Sequence, residues 1–463
     1  MIKIKDLNFC GSSVADTFGR VFEYGGEYYR LVYKGAEAFC RELLESELFH
    51  QLVQKRYIPH TTITYELHIE GNPLILKHEA CCINKPYEWS FEMYKDAAIH
   101  ILKVNELCGE YGFELKDAHP FNITFHNGKP VFIDIGSITK KSGKVWCAQE
   151  EFLQITCLPL LLWANGEYCI ARHILESNDM YAGYRVLPQQ TFFETPFFRQ
   201  KLVLGTNFSI RIRKHLFTTT NKTLIHFFCI ANKISKRILK KKPFHISTED
   251  VFVNPTIDYL SNLTLKRTDT EWGKYQNYDK IEEHYPRFVR IIGLIKEHCP
   301  EVENVIDLAG NGGNLAILLH RTNIFKHILT VDYDGSAADK AYTYFKSNGL
   351  PIDSLYTNVI YPFDPLSFYK RVQSDIVIAC ALTHHLILRQ GIPLYAIFEK
   401  FSFYTKKYIV IEFMPLGLWD GHDAPPVPDW YTEDWFRDTF EKYFTLIHQE
   451  QLESNRILFI GKK

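Results

Sequence analysis

The chain has 463 residues, too many for one ordinary hydrophobic core, so its length predicts two or three domains. Hydrophobic residues make up 46% and charged residues 23%, which is normal for a globular protein. A net charge of −1 gives no reason to expect a nucleic-acid partner.

The sequence also bears on the cellular location. The longest apolar runs, CLPLLLWA and LIHFFCIA, are far shorter than a membrane span. The amino terminus, MIKIKDLNFC, lacks the apolar core of a signal peptide. The 11 cysteines form no CxxC pair and no zinc-type spacing with histidines. We therefore expect a cytoplasmic protein with reduced cysteines and no transmembrane segment.

The amino-terminal part is predicted to combine strands and helices. Two strand-like runs flank a Gly-Gly pair at residues 25–26, which is typical of a hairpin. Residues 36–57 then carry apolar side chains at helical spacing. Residues 86–112 predict a second amphipathic helix that ends at a glycine. An Asn-Gly pair at residues 127–128, between two more strand-like runs, predicts another hairpin.

The stretch LKDAHPFNITFHNGKPVFIDIGS surrounds this second hairpin with Asp117, Asn122 and Asp134. In phosphoryl transfer, one carboxylate orients the accepting hydroxyl, while an asparagine and a second aspartate hold magnesium on the phosphates. The spacing resembles that of protein kinases and aminoglycoside phosphotransferases. This resemblance implies Asp117 as the base, and Asn122 and Asp134 as ligands of Mg²⁺ at an ATP site.

Several parts of the kinase pattern are missing. There is no convincing glycine-rich phosphate loop near residues 11–27, and Leu115 takes the place of the usual histidine. Arg30 and Lys34 are the only cations near the expected lysine position. Their ion-pair partner would be one of three helical glutamates: Glu42, Glu45 and Glu47. Nucleotide binding therefore stays open, with phosphoryl transfer as the less favoured alternative.

The predicted domains are residues 1–205 and 269–463, joined by a basic, partly helical connector over residues 206–268. The connector includes RIRKHLF and a run of three lysines before Pro243. Such a segment can contact an anionic lipid or glycan surface at the membrane periphery, although a charge run is more often only a solvated face.

The carboxy-terminal part has the pattern of a parallel sheet. Short apolar runs such as NVIDLAG, HILTVDYD and SDIVIACAL alternate with helical segments, which is typical of buried parallel strands in an α/β fold. The first run leads into a glycine-rich turn, AGNGGN, where the backbone can approach a ligand closely. Asp332 ends the second run, where an acid can accept hydrogen bonds from both hydroxyls of a ribose.

The turn reads D-x-A-G-N-G-G, which does not fit the G-x-G-x-x-G of dinucleotide-binding proteins. With the acid that follows, it resembles motifs I and II of class I S-adenosylmethionine-dependent methyltransferases. The resemblance implies a Rossmann-like, seven-stranded sheet whose last strand is antiparallel, with S-adenosylmethionine beyond the strand ends. The cofactor residues expected from it are Asp307, Ala309, Gly310, Asn311, Gly312, Asp332, Tyr333, Asn358 and Ala379. Among these, Tyr333 is expected against the adenine face and Asn358 at its edge.

His384 and His385 follow the fourth predicted strand, and Glu412 ends the fifth. Methyl transfer to oxygen requires positioning and removal of a proton, which suits a histidine. Alternatively, one histidine caps the next helix or packs against the methionine end of the cofactor. Glu412 is a base, a substrate contact or a helix-dipole partner. Residues 268–285 are expected to cover the cofactor as a lid.

The motifs in order, from PYEWSFEMYKDAA to VIEFMP, resemble one bacterial family over nearly the whole chain. Its members are class I methyltransferases with an amino-terminal kinase-like region, related to the nodulation protein NoeA. The resemblance implies a kinase-like α+β unit, then an α/β methyltransferase domain acting on a glycan, a phosphorylated sugar or a lipid-linked oligosaccharide. Three hypotheses remain: a methyltransferase with a substrate-binding kinase-like domain, a bifunctional kinase–methyltransferase, and a non-catalytic binding module.

Overall fold

The computed structural model describes residues 1–14, 16–176, 256–265, 270–274, 277–419 and 425–463. Most of the predicted basic connector, including its lysine run, lies outside these residues, so its contact with a membrane or glycan stays a prediction. One compact unit contains Met1–Phe152, Thr156–Glu176 and Thr256–Lys463, and Leu153–Ile155 fall in a second unit. The described parts of both predicted domains therefore belong almost entirely to one compact unit.

The amino-terminal part contains nine strands and six α-helices among its described residues, besides short 3-10 and π-helical segments. The strands are β1 (Asn8–Phe9), β2 (Gly19–Tyr24), β3 (Glu27–Val32), β4 (Thr61–Thr64), β5 (Ile75–His78), β6 (Phe113–Leu115), β7 (Ile123–His126), β8 (Lys129–Phe132) and β9 (Ile138–Lys140). The α-helices are α1 (Glu37–Glu45), α2 (Glu47–Gln54), α3 (Phe91–Glu110), α4 (Gln149–Glu151), α5 (Leu158–Ala164) and α6 (Tyr168–Glu176).

The first five strands form an antiparallel sheet in the order β1-β2-β3-β5-β4. The β2–β3 hairpin turns at Gly25 and Gly26, whose φ angles of 63° and 81° favour glycine, so this predicted hairpin is confirmed. Phe22 and Tyr29 stack across the two strands at 5.5 Å and are buried together. This pair anchors the small core beneath the sheet.

The motif with Asp117, Asn122 and Asp134 is held by short paired strands. Strand β6 pairs with β9, and the β7–β8 hairpin turns at Asn127 and Gly128, as the Asn-Gly pair predicted. Asp117 and Asn122 precede this hairpin and Asp134 follows it. The pairing therefore brings the two flanks of the motif together.

The carboxy-terminal part contains seven strands and eight α-helices among its described residues, besides a short 3-10 helix and a π-helical segment. The strands are β10 (Asn304–Leu308), β11 (His327–Asp332), β12 (Asp353–Tyr356), β13 (Ser374–Ala379), β14 (Thr405–Phe413), β15 (Thr445–Glu453) and β16 (Arg456–Lys462). The helices are α7 (Ile257–Ser261), α8 (Ile281–His284), α9 (Pro286–His298), α10 (Asn314–Arg321), α11 (Gly335–Ser347), α12 (Pro365–Val372), α13 (Leu394–Tyr404) and α14 (Glu433–Phe440).

These seven strands form one sheet in the order β12-β11-β10-β13-β14-β16-β15. Strands β10 to β14 are parallel, and β16 is antiparallel to both β14 and β15. The predicted seven-stranded sheet with an antiparallel last strand is therefore confirmed. The central strand β13 is buried at every position, which explains its unbroken apolar sequence.

The two parts pack directly against each other, which the sequence analysis did not anticipate. The Arg371 guanidinium on α12 pairs with Glu88, which is 2% exposed, with Nη1 donating to Oε2 over 3.0 Å. On α11, the Tyr342 hydroxyl donates to Asp96 of α3 over 2.5 Å, and its ring meets Phe125 edge-on at 5.6 Å. Among the described residues, no helix has the length and apolarity needed to cross a membrane.

Candidate active site

A groove of about 690 Å³ lies at the carboxyl ends of β10, β11 and β13. The chain passes from β10 to β11 and β12 on one side, then returns to β13 on the other, so the strand order reverses at this point. Ligands of open α/β sheets bind at such a reversal. The predicted cofactor residues that line the groove are Asp307, Ala309, Gly310, Asn311, Gly312, Asp332, Tyr333 and Asn358.

The glycine-rich turn has a constrained backbone. Ala309 and Asn311 have φ angles of 59° and 50°, which side-chain-bearing residues rarely adopt. Between them, a Cβ on Gly310 would lie 2.2 Å from Thr330 Oγ1 and 2.5 Å from Asp307 Oδ2. Only glycine fits there, because the turn passes directly over the ends of β10 and β11.

Asp332 is oriented by the backbone around it. Its Oδ2 accepts a hydrogen bond from the Asn311 N–H at 2.8 Å, and its Oδ1 accepts from the Asp334 N–H at 2.7 Å. Burial raises the pKa of this carboxyl to about 6, although these two hydrogen bonds oppose the shift. The carboxylate is therefore fixed in direction, with lone pairs left for a ligand in the groove.

Asp307 lies deeper in the same groove and is 3% exposed. Its Oδ2 has no hydrogen-bond partner among the described residues. Burial, followed by the nearby Asp332 and Glu412 carboxylates, raises the pKa of Asp307 to about 8. A buried carboxyl oxygen without a partner is suited to receive a cationic or hydrogen-bond-donating group of a ligand.

The two histidines have different positions. His385 lines the groove, and its ring meets Trp272 edge-on at 5.2 Å. His384 is 4% exposed, lies behind His385 with ring centroids 4.0 Å apart, and does not line the groove. Burial lowers the pKa of both, that of His384 to about 3, so both imidazoles are neutral at pH 7. Of these two histidines, only His385 faces the groove.

Glu412 and Ala379 lie elsewhere than expected. Glu412 is fully buried, and its Oε2 accepts from the Ala381 N–H at 2.9 Å and from Arg456 Nη1 at 2.8 Å. Arg287 faces its other oxygen at 3.5 Å. Glu412 therefore holds two arginines that line the groove, and does not itself line it. Ala379 is buried within β13 and does not line the groove. The chain reaches the groove only at the next residues, Cys380 and Ala381.

The sequence analysis missed Arg287 and Arg456, since neither belongs to a motif. The segment expected as a lid, residues 268–285, does lie beside the glycine-rich turn where the structure describes it. The Trp272 carbonyl accepts from Asn311 Nδ2 at 3.3 Å, and the Tyr278 hydroxyl donates to the Gly312 carbonyl at 3.0 Å. This segment therefore forms one wall of the groove.

The amino-terminal motif forms a separate polar cluster. Ser137 Oγ lies 2.7 Å from Asp134 Oδ2 and 3.2 Å from Asp117 Oδ2, and Asn122 Nδ2 donates to it over 3.3 Å. The folded chain therefore brings Asp117, Asn122 and Asp134 around one hydroxyl, although they are distributed over two loops.

Arg30 is the cation of this cluster. It is 3% exposed, and its Nη2 contacts Asp134 Oδ1 at 3.2 Å, while its Nη1 pairs with Asp16. Among the described residues, no ion pair joins Arg30 to one of the three helical glutamates, and Glu42 instead pairs with Lys140 at 2.7 Å. Of the two carboxylates that Arg30 contacts, Asp134 belongs to the motif and Asp16 lies in the loop before β2.

Comparison with known proteins gives one curated relative of note. Nodulation protein NoeA of Rhizobium meliloti (strain 1021) is 24% identical over 349 residues, covering 72% of this chain and 69% of NoeA. The similarity to NoeA expected from the motifs is thereby confirmed. No protein-family model matches the chain.

Solved structures resemble about two fifths of the chain. The PH0226 protein of Pyrococcus horikoshii OT3 is 18% identical and covers 42% of this chain and 99% of its own, with a TM-score of 0.35. The N-methyltransferase NodS of Bradyrhizobium japonicum WM9 is 14% identical and covers 40% and 99%, with a TM-score of 0.31. Because these scores are low, the fold class rests on this chain's own strand order.

That strand order, the glycine-rich turn and the groove at the strand ends are those of the class I methyltransferase fold. This is the fold that the sequence motifs predicted.

Proposed function

We propose that the chain transfers a methyl group from S-adenosylmethionine to a glycan, a phosphorylated sugar or a related small acceptor. The observation that carries this proposal is the oriented Asp332 carboxylate beside the strained glycine-rich turn, in the groove where the strand order reverses.

Each end of the cofactor has a candidate partner. Asp332 would accept hydrogen bonds from the two ribose hydroxyls, and Tyr333, which is 64% exposed, would hold the adenine. The Asn358 Oδ1 is occupied by two following backbone N–H groups, at 2.8 and 2.9 Å, so its amide N–H₂ meets the adenine edge. Asp307, which is buried and whose Oδ2 has no partner among the described residues, would hold the ammonium group of the methionine end.

The acceptor enters beside His385. Its neutral imidazole accepts the proton that leaves an acceptor hydroxyl or amine as the methyl group is transferred. The Trp272 ring, 39% exposed at the same place, offers an apolar face that a sugar ring can cover. His384 supports His385 by packing, and Glu412 positions the groove arginines.

A second function concerns the amino-terminal part, which we propose to be a kinase-like domain within residues 1–205, before a connector over residues 206–268. The clustering of Asp117, Asn122 and Asp134 supports a site for Mg²⁺ and ATP. In the first version of this proposal the domain only binds nucleotide or substrate. In the alternative, bifunctional version it also phosphorylates the acceptor.

Two experiments test these two sites. Incubation of the chain with methyl-labelled S-adenosylmethionine and a panel of oligosaccharides and sugar phosphates, followed by mass spectrometry, tests methyl transfer. Labelled product that disappears in the His385→Gln variant supports the proposal, whereas equal labelling in that variant removes His385 as the base.

Titration with ATP and Mg²⁺, with Asp134→Asn as control, tests the second site. Absence of binding excludes both versions of nucleotide use.

A further inference from the structure

Three metal-ligand side chains meet far from the groove. Cys82 lies before α3, His126 ends β7, and His327 begins β11, so the three come from both parts of the chain. Their ligand atoms all lie within 4.8 Å of one another. Tetrahedral Zn²⁺, with bonds of about 2.0–2.3 Å, needs ligand atoms about 3.3–3.6 Å apart, so shifts of about 1 Å would complete such a site.

The ring nitrogens have suitable surroundings. His126 Nε2 lies 3.1 Å from the side-chain amide of Asn127, and its Nδ1 accepts from the Cys82 N–H at 3.2 Å. With the amide oxygen turned toward it, the Nε2–H is held by Asn127, which leaves the Nδ1 lone pair for a metal. A metal on Nδ1 would displace the Cys82 N–H, because one lone pair cannot serve both. His327 Nδ1 is buried and has no partner among the described residues.

A candidate fourth ligand lies beside the cluster. The Cys82 thiol lies next to the buried Asp353 carboxylate, which accepts from the Gly128 N–H at 2.7 Å and the Asn127 N–H at 3.3 Å. Asp353 or a water molecule supplies the fourth ligand.

We propose that Cys82, His126 and His327 bind a structural Zn²⁺ that fastens the β7–β8 hairpin to the sheet. Thiolate and imidazole ligands favour Zn²⁺ over Mg²⁺ or Ca²⁺. His327 and Asp353 start β11 and β12, so the site lies at the opposite edge of the sheet from the groove. This placement favours a role in stability, independent of the methyl transfer proposed above. No sequence pattern pointed to it, because the ligands are separated by 44 and 201 positions (126 − 82 and 327 − 126).

The metal content of the purified full chain tests the proposal. The chain is equilibrated with Zn²⁺ and gel-filtered, and its zinc is then measured by elemental mass spectrometry. We expect about one Zn²⁺ per chain, and at least a tenfold loss in Cys82→Ser and His327→Gln. Cys147→Ser and His68→Gln, which change exposed residues of the same types, should retain the metal. A wild-type chain without stoichiometric metal, or variants that keep it, would overturn the site.

A second measurement does not depend on the folding of the variants. The metal-stripped wild-type chain is titrated with Co²⁺, and the alkylation of each cysteine is followed by mass spectrometry with and without Zn²⁺. We expect a thiolate-to-cobalt absorption band and protection of Cys82 by Zn²⁺. Absence of the band, or equal alkylation of Cys82 in both samples, contradicts the proposal.

Discussion

At the scale of single residues, the groove depends on two carboxyls that the fold keeps from ionising easily. Asp307 has a pKa of about 8 and Asp332 of about 6, in both cases chiefly because burial disfavours the charged form. Both pKa values lie above that of free aspartate. The free energy of unfolding therefore falls as the pH rises and these two groups ionise. A cationic ligand reverses this cost, because it stabilises the charged forms.

The first prediction follows from this linkage. At pH 7 most Asp307 is protonated, and a bound ammonium group lowers its pKa, so binding of S-adenosylmethionine should release up to about one proton. Affinity should rise between pH 6 and pH 7 and fall further below the pKa of Asp332. Calorimetric titration in buffers of different ionisation enthalpy measures the release. Asp307→Asn should abolish it, and a wild-type heat that is independent of the buffer would contradict the prediction.

The second prediction concerns Gly310, where an added Cβ meets Thr330 Oγ1 and Asp307 Oδ2. Gly310→Ala should shift the turn, cost about 1–3 kcal/mol of unfolding free energy and weaken S-adenosylmethionine binding more than tenfold. Gly293→Ala is a matched control, since a Cβ at this helical position meets nothing within 4 Å. It should stabilise the chain by up to about 1 kcal/mol. Equal behaviour of the two variants in urea unfolding and titration would refute the steric argument.

At the scale of elements, α12 is tied to the amino-terminal part by a buried ion pair. Arg371→Ala leaves Glu88 buried without its partner, which typically costs about 3–5 kcal/mol. Arg290→Ala removes an arginine that pairs with Glu450 on the surface, and should change stability little. Urea unfolding of both variants distinguishes these cases. A loss for Arg371→Ala no greater than that for Arg290→Ala would show that the pair does not join the parts.

At the scale of the whole molecule, the described parts of both predicted domains belong to one compact unit, so binding in the groove should stabilise both. Free ligand at 100 times its Kd adds about 2.7 kcal/mol to the free energy of every opening reaction that requires global unfolding. Hydrogen exchange should therefore slow at Phe125 and Val131 in the amino-terminal part, as well as around the groove. Protection confined to the carboxy-terminal sheet would contradict coupled unfolding.

Local sequence patterns predicted the features that depend on local physics. The hairpin at Gly25-Gly26 and the turn at Asn127-Gly128 follow from backbone preferences, and the buried parallel strands follow from their apolar runs. The groove followed from strand ends that meet at one edge of the sheet.

Features set by distant contacts could not be predicted. Glu412 reads as an acid at a strand end, but Arg456 and Arg287 approach it only in the folded chain. In the same way, Cys82 meets His327 only because the β7–β8 hairpin docks on the sheet. Pairings of this kind need the tertiary structure.

The most direct test of the account is calorimetric titration of the full chain with S-adenosylmethionine, beside the Asp332→Ala and Asp438→Ala variants. Asp438 is an exposed acid on α14 and serves as the control. We predict binding by the wild type and Asp438→Ala at one site per chain, and at least a tenfold weaker affinity for a folded Asp332→Ala. Absence of wild-type binding, or an unchanged affinity of Asp332→Ala, would contradict the assignment of the groove to this cofactor.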